Sequence, residues 1–61
     1  MKVKIKSFNG ELPDYLTVGK EYEVKNFNGS SVLIESDHGE LIFTEINGTS
    51  HLNGGSWEVV E

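Results

Sequence analysis

The sequence predicts an all-β fold: a small barrel or sandwich of five short strands, with at most a single turn of helix. Three observations carry this expectation. Several segments alternate apolar and polar residues, the period of a half-buried strand. Asn-Gly and related turn signals separate them at short intervals. No segment shows a helical period of useful length. At 61 residues the chain makes one domain (1–61). A domain this small buries only about 60% of the surface its unfolded chain exposes, so a compact core must be completed by every available means.

The elements follow in order. Met1, Val3 and Ile5 alternate with Lys2, Lys4 and Lys6, a first strand with one buried and one lysine face. The lysines read either as an anion-binding stripe or as a solvated face paired across the sheet with Glu21 and Glu23. Asn9 to Tyr15 is a loop holding the lone proline, Pro13, with Leu12 and Tyr15 tucked back against the body. Leu16 to Val24 (L-T-V-G-K-E-Y-E-V) is a glycine turn that launches a second strand, from about Lys20 to Phe27. Asn28-Gly29 is a hairpin signal. Ser31 to Ser36 is the third strand, with Val32 and Ile34 on one face and Leu33 on the other. Asp37-His38-Gly39 turns into a fourth strand, Glu40 to Ile46. There, Leu41 and Phe43 are expected to share the core face and Ile42 the other. Asn47 to Ser56 is a small, polar and glycine-rich stretch, read as an irregular connection. Trp57 to Glu61 is a short fifth strand, with Trp57 and Val59 facing in.

Asn-Gly recurs at Asn9, Asn28 and Asn47 at a constant interval, each time after an apolar residue: Phe8, Phe27, Ile46. That residue falls out of the period of two, so a bulge is expected to turn it inward to close an end of the core. The pattern reads as an internal repeat or as reused strand-then-turn grammar.

Taken together, Lys2-Val3-Lys4-Ile5, the stretch Leu16 to Val24 and the closing Trp57 to Val59 resemble the L-T-x-G-K-x-Y-x-V signature of small uncharacterised proteins of bacteria and their phages. The resemblance implies a five-stranded barrel like that of Src-homology-3 (SH3-like), in a phage or prophage protein of unknown function. An oligonucleotide-binding barrel is the alternative fold. The peptide-binding residues of eukaryotic SH3 domains do not carry over, since nothing after Asn28-Gly29 replaces their tryptophan.

The net charge is -5, with ten carboxylates against five lysines. Such an acidic chain is poorly suited to a phosphate backbone, and without arginine it lacks the usual reader of guanine edges. Nucleic-acid binding is therefore not expected. The absence of cysteine excludes disulfides and thiolate metal sites. With no long apolar run and an alternating start, a cytoplasmic protein away from the membrane is expected.

No catalytic, cofactor or metal site is expected. No serine lies in a nucleophile elbow. Gly54-Gly55 precedes a strand, where a phosphate loop needs a helix. Asp37 and Glu40 are expected to be solvated with ordinary pKa values, and His38 and His51 to sit apart in a turn and a loop. The candidate sites are for protein contact: an apolar patch of Leu33, Ile42 and Val60, and the loop around His51. These point to a non-catalytic accessory or regulatory module that binds an unidentified protein. The alternatives are a self-associating homodimer and an acidic nucleic-acid mimic.

Overall fold

The computed structural model describes residues 1–60. The chain runs β1 (Lys2–Ser7), β2 (Tyr22–Phe27), β3 (Ser31–Glu35), β4 (Leu41–Glu45), a 3-10 turn (Ser50–Leu52) and β5 (Ser56–Val60). All pairings are antiparallel, within one five-stranded sheet of order β4-β3-β2-β1-β5. The protein is thus all-β, with the 3-10 turn its single helical piece among the described residues.

Alternation explains β1 and its neighbours. Val3 and Ile5 enter the core, while Lys2 faces Glu23 on β2 and Lys4 faces Glu58 on β5. Glu21 lies just outside β2. Glycine meets the turns where positive φ is required: Gly19 at +87° after Thr17 and Gly39 at +85° before β4. The buried apolar core is built from all parts of the chain and centres on Val3, Val32, Ile34, Leu52 and Trp57.

The sheet curls without closing into a hydrogen-bonded barrel. Its edge strands meet through two bonds from one residue. The Trp57 backbone N–H donates to the Ile46 carbonyl (2.7 Å), and its indole Nε1–H donates to Thr44 Oγ1 (2.9 Å). Thr44 Oγ1 is also hydrogen-bonded to Thr49 Oγ1 (2.7 Å). Both threonines are fully buried, yet every buried polar side-chain atom among the described residues has a partner.

This network reverses the expected faces of β4. Ile34 pairs with Ile42 and Val32 with Thr44, so Ile42 and Thr44 point inward, while Leu41 and Phe43 face solvent. The segment is apolar on both faces, so size and hydropathy favour the wrong one. The hydroxyl of Thr44 decides the matter, because only on the inner face does it meet Trp57 and Thr49.

Two further expectations are corrected. The bulges do occur, in β1 between Ile5 and Ser7 and in β2 between Val24 and Asn26. However, Phe8 and Phe27 remain exposed, and only Ile46 of the three packs on the core. Leu52, whose carbonyl accepts the Asn9 N–H, takes the core position beside the end of β1. Val59 pairs with buried Val3 but stays exposed on the edge strand.

The stretch from Asn47 to Ser56 is a built closure. Thr49 caps the 3-10 turn by accepting the His51 N–H, and Asn53 ends it in the left-handed region (φ 55°). The Asn53 side chain donates to the carbonyls of Asn9 (2.7 Å) and Glu11 (3.2 Å), and Asn9 Nδ2 donates back to the Asn53 carbonyl (3.1 Å). Gly55 lies so close to β1 that an added Cβ would collide with the Ser7 carbonyl oxygen.

Two substitutions test this closure by chemical denaturation. Thr44→Val is expected to lower stability by about 2 kcal/mol, because it strands the buried Trp57 N–H and removes one of the partners of the Thr49 hydroxyl. Thr44→Ser keeps the hydroxyl and is expected to lose distinctly less. Gly55→Ala is expected to lose about 3 kcal/mol, since the obstacle is backbone with no rotamer to yield.

Candidate functional site

Two surfaces gather chemically distinctive side chains. The first is organised by Asp37, at the turn between β3 and β4. Thr17 Oγ1 donates to Asp37 Oδ2 (2.6 Å), and Lys20 Nζ (2.6 Å) and the Tyr22 hydroxyl (3.0 Å) donate to Oδ1. The Tyr22 oxygen accepts the Thr17 backbone N–H in return (2.7 Å), and the Asp37 N–H donates to the Tyr15 carbonyl (2.9 Å). Three residues of L-T-V-G-K-E-Y-E-V thus converge on one carboxylate, because the Gly19 turn folds Thr17 and Lys20 back toward the start of β2.

The electrostatics follow from these contacts. The Lys20 hydrogen bond, seconded by Thr17, holds the Asp37 carboxyl below its ordinary value, correcting the expectation of an unperturbed group. The same bond raises Lys20. Burial pushes the Tyr22 phenol up, and its donation to Asp37 adds to the shift. The Lys20 ammonium also lies 5.1 Å from the Tyr22 ring centroid. Beside this node is an open groove of about 500 Å³, bordered by Lys20, Tyr22, Lys25, Glu35 and His38. The carboxylate at its centre is already occupied by three donors, so its chemistry is to tie the first loop, β2 and the β3–β4 turn together.

The second surface is the outer face of the β3–β4 hairpin. Leu33 stands opposite Phe43, and Leu41, opposite Glu35, is its diagonal neighbour. Leu41 is 60% exposed and Phe43 53%. Leu33 is half-buried beneath them. This is a contiguous apolar face on an edge of the sheet.

The expected contact residues are distributed as follows. Leu33 lies on this outer face. Ile42 lies on the inner face, packed against the core. Val60 is half-buried on β5, with β2 and β1 between it and Leu33 in the sheet. His51 sits in the 3-10 turn, its Nδ1 within 2.9 Å of the Tyr15 hydroxyl and its ring edge-on to that ring (84°). His38 stands apart, 3.7 Å from Asp14. Among the described residues, no three His, Asp or Glu side chains gather to hold one metal ion, and no helix is long and apolar enough to cross a membrane.

Comparison with protein-family models, curated proteins and solved structures finds no match for this chain. Sequence reasoning missed Leu41 and Phe43 as surface residues and Thr17, Lys20, Tyr22 and Asp37 as a unit. The T-x-x-K-x-Y spacing was the available signal for the latter, since it places three donors around one glycine turn.

Because the folded-state pKa of Asp37 is lowered, its stabilising contribution is present above the ordinary aspartate value of about 3.9 and is lost as pH falls through the folded value. Asp37→Asn is expected to destabilise the protein by at most about 1 kcal/mol at neutral pH, because its ion pair with Lys20 is exposed to solvent. Urea midpoints followed into the acid range are expected to fall less steeply for the variant than for the wild type.

Proposed function

We infer that the chain is a non-catalytic protein-binding module on an SH3-like scaffold, with the outer face of the β3–β4 hairpin as its contact surface. The observation that carries this reading is the exposure of Leu41 and Phe43 around Leu33. Strand β4 leaves two large apolar side chains in water while burying Thr44. Contiguous exposed apolar side chains on a rigid sheet are characteristic of contact sites. The antiparallel strand order β4-β3-β2-β1-β5 and the glycine-turn signature support the scaffold. The resemblance to small bacterial and phage proteins supports a cytoplasmic accessory or regulatory role.

The test is affinity capture from a bacterial lysate with wild-type protein and the double variant Leu33→Ser/Phe43→Ser, with circular dichroism to establish that both are folded. A protein bound by wild type and lost by the variant is expected. Undiminished capture by the folded variant would refute this surface. Ile42→Ala, on the opposite face, is expected to lower stability by about 2 kcal/mol through loss of core packing.

A further inference from the structure

We propose that the free edge of β4 accepts an extended, basic peptide segment as an added antiparallel or parallel strand. This rests on the hairpin being a protein-contact surface, and it names the mode and the chemistry of the partner.

The argument begins with the ladder between β3 and β4. Ile46 N–H donates to the Ser30 carbonyl (2.9 Å) and Ser36 N–H to the Glu40 carbonyl (2.7 Å), marking bonded pairs at the two ends. Bonded and non-bonded pairs alternate in an antiparallel ladder. In the observed register, Thr44 with Val32 and Ile42 with Ile34 are therefore the bonded pairs. The backbone N–H and C=O of Leu41 and Phe43 point the other way, away from β3. Among the described residues the sheet has no further strand beyond β4. The contact with Trp57 engages Ile46, beyond the end of β4, and so leaves Leu41 and Phe43 open. The two residues with free backbone groups are the same two whose side chains form the exposed apolar face. An added strand would pair with the former and lay alternate side chains on the latter.

Charge selects the occupant. Every lysine lies at or before Lys25, and from Asn26 onward the sequence holds no Lys or Arg. The hairpin itself carries Glu35, Glu40 and Glu45, besides Asp37, whose charge Lys20 already neutralises. Glu40 and Glu45 bracket β4, and Glu35 stands opposite Leu41. Edge strands are commonly protected by lysine, proline or a bulge, and β4 has none of these. A second copy pairing β4 with β4 would double these carboxylates along one seam. A segment with apolar residues at alternate positions and Lys or Arg at its ends complements both the face and the charge.

Amide hydrogen exchange read by NMR tests this on the intact protein. The probes are two capped heptapeptides of alternating valine and threonine, one flanked by lysines and one by glutamates. In the free protein the Leu41 and Phe43 amides are expected to exchange rapidly and those of Ile42 and Thr44 slowly. Saturation with the lysine peptide is expected to slow Leu41 and Phe43 at least about tenfold. The glutamate peptide is expected to bind about tenfold more weakly, two exposed charge pairs each contributing a few-fold. Leu41→Pro, which removes an edge N–H at the first position of a strand, is expected to weaken binding more than Leu41→Ala. Slow Leu41 and Phe43 amides in the free dilute protein would overturn the proposal, as would equal loss in the two Leu41 variants or no binding of the lysine peptide. Protection that depends on protein concentration without peptide would assign the edge to a second copy instead. Peptide binding that shifts Phe43 side-chain signals without slowing its amide would overturn strand addition while leaving the contact face intact.

Discussion

The hydroxyl of Thr44 is the point on which the architecture depends. It accepts the indole N–H of Trp57 and shares a hydrogen bond with Thr49, in a region from which water is excluded. Three distant parts of the chain meet there: the outer edge strand β4, the other edge strand β5 and the closing loop. A sheet with unpaired edges must otherwise splay or recruit another layer. Here the two edges are drawn together at one end by three side chains and one backbone bond. Each buried polar side-chain atom among the described residues is satisfied in this register, so the network favours the alignment of β4 as well as stabilising it.

From Trp57 the connection continues across the core. Its ring meets Tyr22 edge-to-face (5.7 Å, 85°), and the Tyr22 hydroxyl reaches Asp37. A line of aromatic rings with polar ends thus joins the closing loop on one side to the Gly19 turn on the other. The arrangement suits a domain with no disulfide. Tyrosine and tryptophan supply large buried surface, while their polar tips organise the loops at each end. The glycine-turn motif contributes the donors, and Asp37, fifteen residues further along from Tyr22, contributes the acceptor.

The same geometry explains why an apolar face is left outside. Strand β4 has apolar side chains at three successive positions, Leu41, Ile42 and Phe43, and a strand can bury alternate ones only. Once Thr44 is committed inward, Ile42 follows it and Leu41 and Phe43 must face solvent. The ladder with β3 then leaves the backbone groups of those same residues free. Exposed side chains and an open edge coincide because both follow from one register.

The sequence by itself determined the number, order and approximate limits of the strands, the turns, and the buried faces of β1 and β3. These depend on local signals: a period of two, Asn-Gly pairs and glycines at positive φ. Lys2 opposite Glu23 was legible for the same reason, since charges alternate with the core residues. Tertiary structure alone decided which way β4 faced, that Leu52 and not Phe8 filled the core, and that the glycine-rich stretch was a fastened closure. In each case the local pattern was degenerate, and a partner remote in sequence broke the tie: Trp57 for Thr44, Asn9 for Asn53, the Ser7 carbonyl for Gly55. A hydroxyl reads as a surface group until the donor that satisfies it has been brought beside it. Alternation encodes a strand, but only its neighbours determine which of two apolar faces is worth burying.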